Sequence, residues 1–146
     1  MGATQVQRTY KQVHVETASQ GKLIVMLYDA AIKRTEEAIS LIGTKKLDMV
    51  NNNLVRAQDI VAELRASLNM KAGEIAANLD RLYDYIHRLL VRGNVRKEAA
   101  PLQEALQLMK VLRETWKELF DKLPVSEIPS TRDEAARSNA MLNVRG

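Results

Sequence analysis

The feature that most limits what this chain can become is one apolar stripe. Leu47, Val50, Leu54, Ala57, Val61, Leu64 and Leu68 follow one another at alternating spacings of three and four. Successive residues of an α-helix are rotated by about 100°, so this alternation lines all of them along one face, whereas a strand would scatter them over both faces. Such a helix cannot cover its own stripe and needs others. The same spacing recurs in Leu102, Ala105, Met109, Leu112, Trp116, Leu119 and Leu123, and in Ile75, Leu79, Leu82, Ile86 and Leu89. With a further periodic segment from Leu23 to Ile42, the pattern predicts an all-α fold, an antiparallel four-helix bundle with heptad-like packing between neighbours.

Local punctuation sets the expected boundaries. Ser19 is a good helix N-cap, so the first helix is expected from about Gln20 to Ile42, where Gly43 stops it. The second runs along the Leu47–Leu68 stripe. The third is expected from about Glu74 to Arg92, between Gly73 and Gly93-Asn94. The fourth begins near Ala99, with Pro101 in its first turn where the missing N–H has no partner to lose, and ends before Pro124. Residues 1–16 carry no helical stripe and are expected as an extended N-terminal arm; residues 17–123 form the bundle domain. Residues 124–146 are expected as a flexible or short-helical C-terminal tail, with Arg132–Leu142 the candidate helix. Asn51-Asn52-Asn53 falls opposite the second stripe and is expected in solvent.

Composition narrows function. There is no cysteine, so thiol chemistry and disulfides are excluded. The apolar run Leu23–Leu27 is far short of the roughly 20 residues of a membrane span, and the polar N-terminus has no signal-peptide core. A cytoplasmic protein with no membrane insertion is expected. The charge of +4 comes from 22 basic and 18 acidic residues, a mixed surface that does not call for nucleic acid. The basic run Arg88, Arg92, Arg96 and Lys97 suits the negative end of a helix dipole and is expected in water. Asp84-Tyr85-Ile86-His87 is only half of a carboxylate–histidine metal element and has no second half, so neither metal nor cofactor is expected. No nucleophile triad and no glycine-rich phosphate loop is present, which argues against an enzyme.

What remains is a surplus of apolar residues. With Leu23, Leu27 and Ala30 assigned to the core of the first helix, Ile24, Tyr28, Ile32 and Ile39 are left over. Ile60, Ala76, Tyr83, Leu90, Leu108 and Val111 are left over on the other helices. Half of these widen the core. Ile24, Tyr28, Ile32, Ile60, Tyr83 and Leu90 are expected to line a groove for an amphipathic segment of another protein.

The residues that carry a resemblance stand in order along the chain. They are Thr17-Ala18-Ser19, Lys22-Leu23-Ile24, Met26-Leu27-Tyr28-Asp29, Ala31-Ile32, Arg56-Ala57-Gln58-Asp59-Ile60, Gly73-Glu74-Ile75-Ala76, Asn78-Leu79, Leu82-Tyr83-Asp84-Tyr85 and Thr115-Trp116. Together, over about Tyr10 to Leu123, the chain resembles the flagellar secretion chaperone FliS family. The resemblance implies a helical bundle without enzymatic activity. It implies binding of the disordered C-terminal region of flagellin in the bacterial cytoplasm, so that premature polymerisation is prevented and delivery to the export apparatus is assisted. It also implies that the segment before the first helix covers the groove, a role that falls on Tyr10 and Val13. An export-gate component, other flagellar regulators and a homo-oligomer stay open as further partners. The alternatives are a generic helical adaptor for another amphipathic segment and a carboxylate di-metal bundle enzyme. Two departures stand out. Ser19-Gln20-Gly21-Lys22-Leu23 replaces Ser-Pro-Glu-Lys-Leu, implying a looser first turn, and Ala30 stands where a glycine is common, which favours helix.

Overall fold

The computed structural model describes the backbone of residues 2–122 and the side chains of residues 20–122. Four helices follow in order: α1, Gly2–Leu41; α2, Leu47–Ala66; α3, Glu74–Arg96; and α4, Ala99–Lys122; a 3₁₀ turn, Met70–Ala72, precedes α3. Each of α1 and α3 packs along both α2 and α4, so α1 lies diagonally across the bundle from α3. Cross-helix pairs show the antiparallel sense. Asp29 and Glu36 of α1 meet Arg113 and Lys110 of α4, and Asn51 and Arg65 of α2 meet Asn94 and Asp80 of α3, the numbers running in opposite directions. The all-α four-helix bundle is therefore the observed architecture.

The connections are short because the right residues stand in them. Gly43 and Gly73 both adopt positive φ, 89° and 75°, a region that costs other residues a Cβ clash. Asn69 caps the 3₁₀ turn by accepting from the Lys71 N–H at 3.1 Å. Pro101 is buried in the first turn of α4, as expected.

Two boundaries and one burial differ from expectation. Ser19 does not begin a helix: α1 is continuous from Gly2, so the segment before Gln20 has helical rather than extended backbone. Nothing in residues 2–41 breaks a helix, since no proline occurs there and Gln5, Gln7, Arg8, Lys11, Gln12 and Glu16 all favour one. Gly93 does not stop α3, which continues to Arg96 and ends on Lys97 in the left-handed region, φ 53°. Lys97 secures that end by donating from Nζ to the Asn94 carbonyl at 2.6 Å and to its side-chain oxygen at 2.7 Å. Finally, Asn53 is buried rather than solvated; it accepts from Arg34 at 3.1 Å and donates to the Met49 carbonyl at 3.0 Å. Leu123, the tail 124–146 and its candidate helix Arg132–Leu142 lie outside the described residues.

The second and fourth stripes form the core as read. Val50, Leu54, Ala57, Val61, Leu64 and Leu68 are buried, as are Leu102, Ala105, Met109, Leu112 and Trp116, while Leu47 at the start of α2 is half exposed. On α1 the core face is different, and it follows Gly21, Ile24, Tyr28, Ala31, Thr35 and Ala38 at alternating spacings of three and four. On α3 Ile86 and Leu89 are buried and Leu79 and Leu82 pack against the core as expected, Ile75 is exposed, and the core face extends further to a line through Ala76, Tyr83, Leu90 and Gly93. Both stripes contain a glycine that seats a side chain of α4. A Cβ on Gly21 would lie 2.6 Å from the Phe120 ring, and one on Gly93 would overlap the Leu102 side chain. Gly21 is thus a contact surface inside a helix, not a loosened first turn.

Gly21→Ala tests this. Alanine favours helix by about 1 kcal/mol, but forcing a methyl into a filled site costs about 1–3 kcal/mol. A lower urea midpoint is expected for Gly21→Ala, with partial recovery when Phe120→Val is added. A midpoint above that of the parent chain would refute the contact.

Candidate partner-binding surface

Five of the six residues expected in a groove are in the core instead. Ile24, Tyr28, Ile60, Tyr83 and Leu90 are each at most 3% exposed, and Ile32 is half-buried against the core edge. The expectation of an open groove at these five is corrected, for a geometric reason. Moving the inward face of α1 by one residue turns it about 100°, which exchanges Ile24 and Tyr28 for Leu23, Leu27 and Ala30. The residues first assigned to the core are accordingly outside or at the edge: Leu23 is 44% exposed, Ala30 is exposed, and Leu27 is half-buried. The side chains of Tyr10 and Val13 lie outside the described residues.

Tyr28 and Tyr83 face each other across the bundle diagonal and share a short hydroxyl–hydroxyl hydrogen bond. The Trp116 indole N–H donates to the Tyr83 hydroxyl at 3.1 Å, so one buried chain of polar atoms links α1, α3 and α4. Trp116 also stacks on Phe120, centroids 5.8 Å apart. Burial, reinforced by the Tyr83 charge it would face and by their hydrogen bond, pushes the Tyr28 hydroxyl far above the ordinary phenol value. Burial raises Tyr83 too, partly offset by its hydrogen bonds to Tyr28 and Trp116. These groups stay neutral and act as structure.

The accessible apolar surface of α1 is the opposite stripe. Leu23, Met26, Ala30, Lys33 and Glu37 are all exposed, with Met26 at 55%, and they recur at three and four. Ala30 opens onto a groove of about 690 Å³ between α1 and α2, lined also by Lys33, Arg34, Glu37, Met49, Asn52 and Asn53. Two of these lining residues, Arg34 and Asn53, are hydrogen-bonded to each other at 3.1 Å. Sequence pattern does not reveal this surface, because Leu23, Leu27 and Ala30 read as an interior stripe. The signal that could have found it is the equally regular alternation of Gly21, Ile24, Tyr28, Ala31, Thr35 and Ala38, hidden because glycine and threonine do not count as apolar.

A second cavity, about 400 Å³, lies between α2 and α3, lined by Val61, Ala62, Arg65, Ala66, Asp80, Tyr83 and His87. Arg65 closes its rim with bonds of 2.7 Å to Asp80 and 3.2 Å to Asp84. The Arg65 hydrogen bond holds the Asp80 carboxyl below its ordinary value. His87 sits half-buried in this wall, and no group of three metal-ligating side chains occurs among the described residues. No helix among the described residues is long and apolar enough to cross a membrane.

The aromatic chain yields an ordered prediction. Tyr83→Phe strands both the Trp116 N–H and the Tyr28 hydroxyl, each costing about 1–3 kcal/mol when buried and unpaired. Tyr28→Phe leaves Tyr83 accepting from Trp116 and should cost less in a urea titration. The pH dependence follows from the raised values. In the folded chain both phenols stay protonated above their ordinary value of 10.0, whereas in the unfolded chain they ionise there. Stability is therefore full below pH 10 and falls above it, by about 1.4 kcal/mol per pH unit for each tyrosine. Tyr28→Phe should make that alkaline fall shallower.

Comparison with known proteins finds a family over nearly the whole chain. The sequence model of the family "Flagellar protein FliS" matches residues 2–123. The chain is 34% identical over 109 residues to the flagellar secretion chaperone FliS of Bacillus subtilis, covering 75% of this chain and 81% of that protein. It is 34% identical over 126 residues to the FliS of Salmonella typhimurium, covering 82% and 93%. To the FliS of Escherichia coli it is 30% identical over 124 residues, covering 81% and 91%. These relatives are named as chaperones, and the family is not one of enzymes. With four antiparallel helices and a match over nearly its whole length, this chain belongs to the FliS family of flagellar secretion chaperones.

Proposed function

We propose that this chain binds the C-terminal region of flagellin in the bacterial cytoplasm, keeps it from polymerising prematurely and assists its delivery to the flagellar export apparatus. The observation that carries this is the match over residues 2–123 to a family whose relatives are named flagellar secretion chaperones. A secretion chaperone must hold its cargo without the cargo's final partners, and a helical client needs an apolar face to lie on. The outward stripe of α1 provides one. Leu23 and Met26 supply apolar contact, Ala30 permits close approach beside the α1–α2 groove, and Met49 extends the surface on α2. Ile32, half-buried on another side of α1, is a secondary contact.

The energetics are consistent with such a surface. Ordering a disordered tail costs on the order of 2–5 kcal/mol, which is offset by roughly 100–200 Å² of apolar burial at about 25 cal/mol per Å². Exposed Leu and Met side chains are suited to supply it. The arm residues Tyr10 and Val13 are proposed to compete with the client for this surface.

Calorimetry with the flagellin C-terminal peptide tests the proposal. Binding with peptide helix formation and a negative heat-capacity change is expected. Met26→Asp together with Leu23→Asp should weaken it by about tenfold or more while leaving the unfolding midpoint nearly unchanged, since both side chains are exposed. Absence of binding at micromolar peptide would end the flagellin assignment; binding that ignores these substitutions would move the site off α1. Deleting residues 1–16 should change client affinity, and an unchanged value would remove the competing role of Tyr10 and Val13.

A further inference from the structure

The outward face of the C-terminal half of α3 carries a charge pattern that flagellin binding on α1 does not use. From Tyr85 to Lys97 there is no carboxylate, while Arg88, Arg92, Arg96 and Lys97 are all cationic. At 100° per residue, Arg88, Val91, Arg92, Val95 and Arg96 fall on one arc of the helix, opposite the buried Ile86, Leu90 and Gly93. Val91 is 36% exposed and Val95 77% exposed, so two apolar side chains one turn apart stand in water beside a row of three arginines. A helix-dipole role explains cations in the last turn only, and Arg88 is two turns from the end. Among the described residues, Arg88 is paired to Asp84 at 3.0 Å, while Arg92 and Arg96 make no ion pair.

We infer that this face docks an acidic amphipathic helix of a partner protein, with its apolar stripe on Val91 and Val95 and its carboxylates on Arg88, Arg92 and Arg96. Spacing supports a helical partner. Arginines at every fourth position rise about 6 Å per step, the same step as carboxylates at every fourth position of an adjoining helix. Guanidinium groups match carboxylates in a two-pronged geometry. The apolar pair favours protein over nucleic acid. Val91 and Val95 lie among the arginines and offer nothing to a phosphate backbone, and the exposed Tyr85 ring on the same face has its hydroxyl tied to Glu104.

The test uses the full chain and three probes: a short helical peptide with leucines along one stripe flanked by glutamates, the same peptide with glutamines, and an oligothymidylate. The glutamate peptide is expected to bind, with amide shifts in the nuclear magnetic resonance spectrum centred on Val91 and Val95. The glutamine peptide should bind at least about tenfold more weakly. Arg88→Glu with Arg92→Glu should weaken the glutamate peptide by at least about tenfold, and Val95→Asp likewise, with circular dichroism unchanged because all three side chains are exposed. Equal binding of the two peptides, shifts centred elsewhere, or binding unaffected by these substitutions would overturn the inference. So would tighter binding of the oligothymidylate than of the glutamate peptide.

Discussion

The hydrogen-bonded chain Trp116–Tyr83–Tyr28 is the interaction on which the rest of the structure depends. Its three polar atoms sit inside a largely apolar core, where an unpaired donor costs far more than a pair contributes. They can be satisfied only when α1, α3 and α4 meet in one rotation and one register. An apolar core tolerates sliding and repacking; three large aromatic side chains with polar tips do not. The chain therefore holds the two diagonal helices, α1 and α3, in the rotation that buries Tyr28 and Tyr83 and turns Leu23 and Met26 outward on one side and Val91 and Val95 outward on the other.

Helix α4 completes the specification from both ends. Near its start Leu102 sits on Gly93 of α3, and near its finish Phe120 sits on Gly21 of α1. Each glycine removes a Cβ where two helices come closest, so each fixes the height of α4 against a different neighbour. The polar chain lies between these two contacts. Surface ion pairs such as Arg65–Asp80 and Arg113–Asp29 add orientation at the rim, where solvent keeps their contribution small.

The consequence for function is a division of surfaces. The outward stripe of α1 pairs apolar Leu23 and Met26 with the oppositely charged Lys33 and Glu37, and it borders a groove of mixed character. The outward face of α3 beyond Asp84 pairs apolar valines with arginines. Because α1 and α3 are diagonal, the two faces point away from each other. A chaperone that holds a client while meeting a second protein has use for that arrangement.

The sequence by itself determined the fold class, the four helices and the core faces of α2 and α4. Their stripes are written entirely in apolar residues at spacings of three and four, and such a pattern has one way to be buried. It also carried the family, through motifs spread from the first helix to Trp116. Only the tertiary structure decided which way α1 faces and that the core face of α3 widens to Tyr83, Leu90 and Gly93. Each of those helices has two periodic stripes, and the true one is interrupted by Gly21 and Thr35 in α1 and by Gly93 in α3, residues that hydrophobic periodicity discounts. What makes them core is the neighbour: the Phe120 ring and the Leu102 side chain occupy the space where a Cβ would be, and Thr35 satisfies its hydroxyl on the Ala31 carbonyl at 2.8 Å. Phe120 and Leu102 both belong to α4, a different helix from the glycines they contact, and the periodicity of α1 or α3 alone does not weigh such partners. Packing between distant segments, not local pattern, therefore chose the surfaces left for partners.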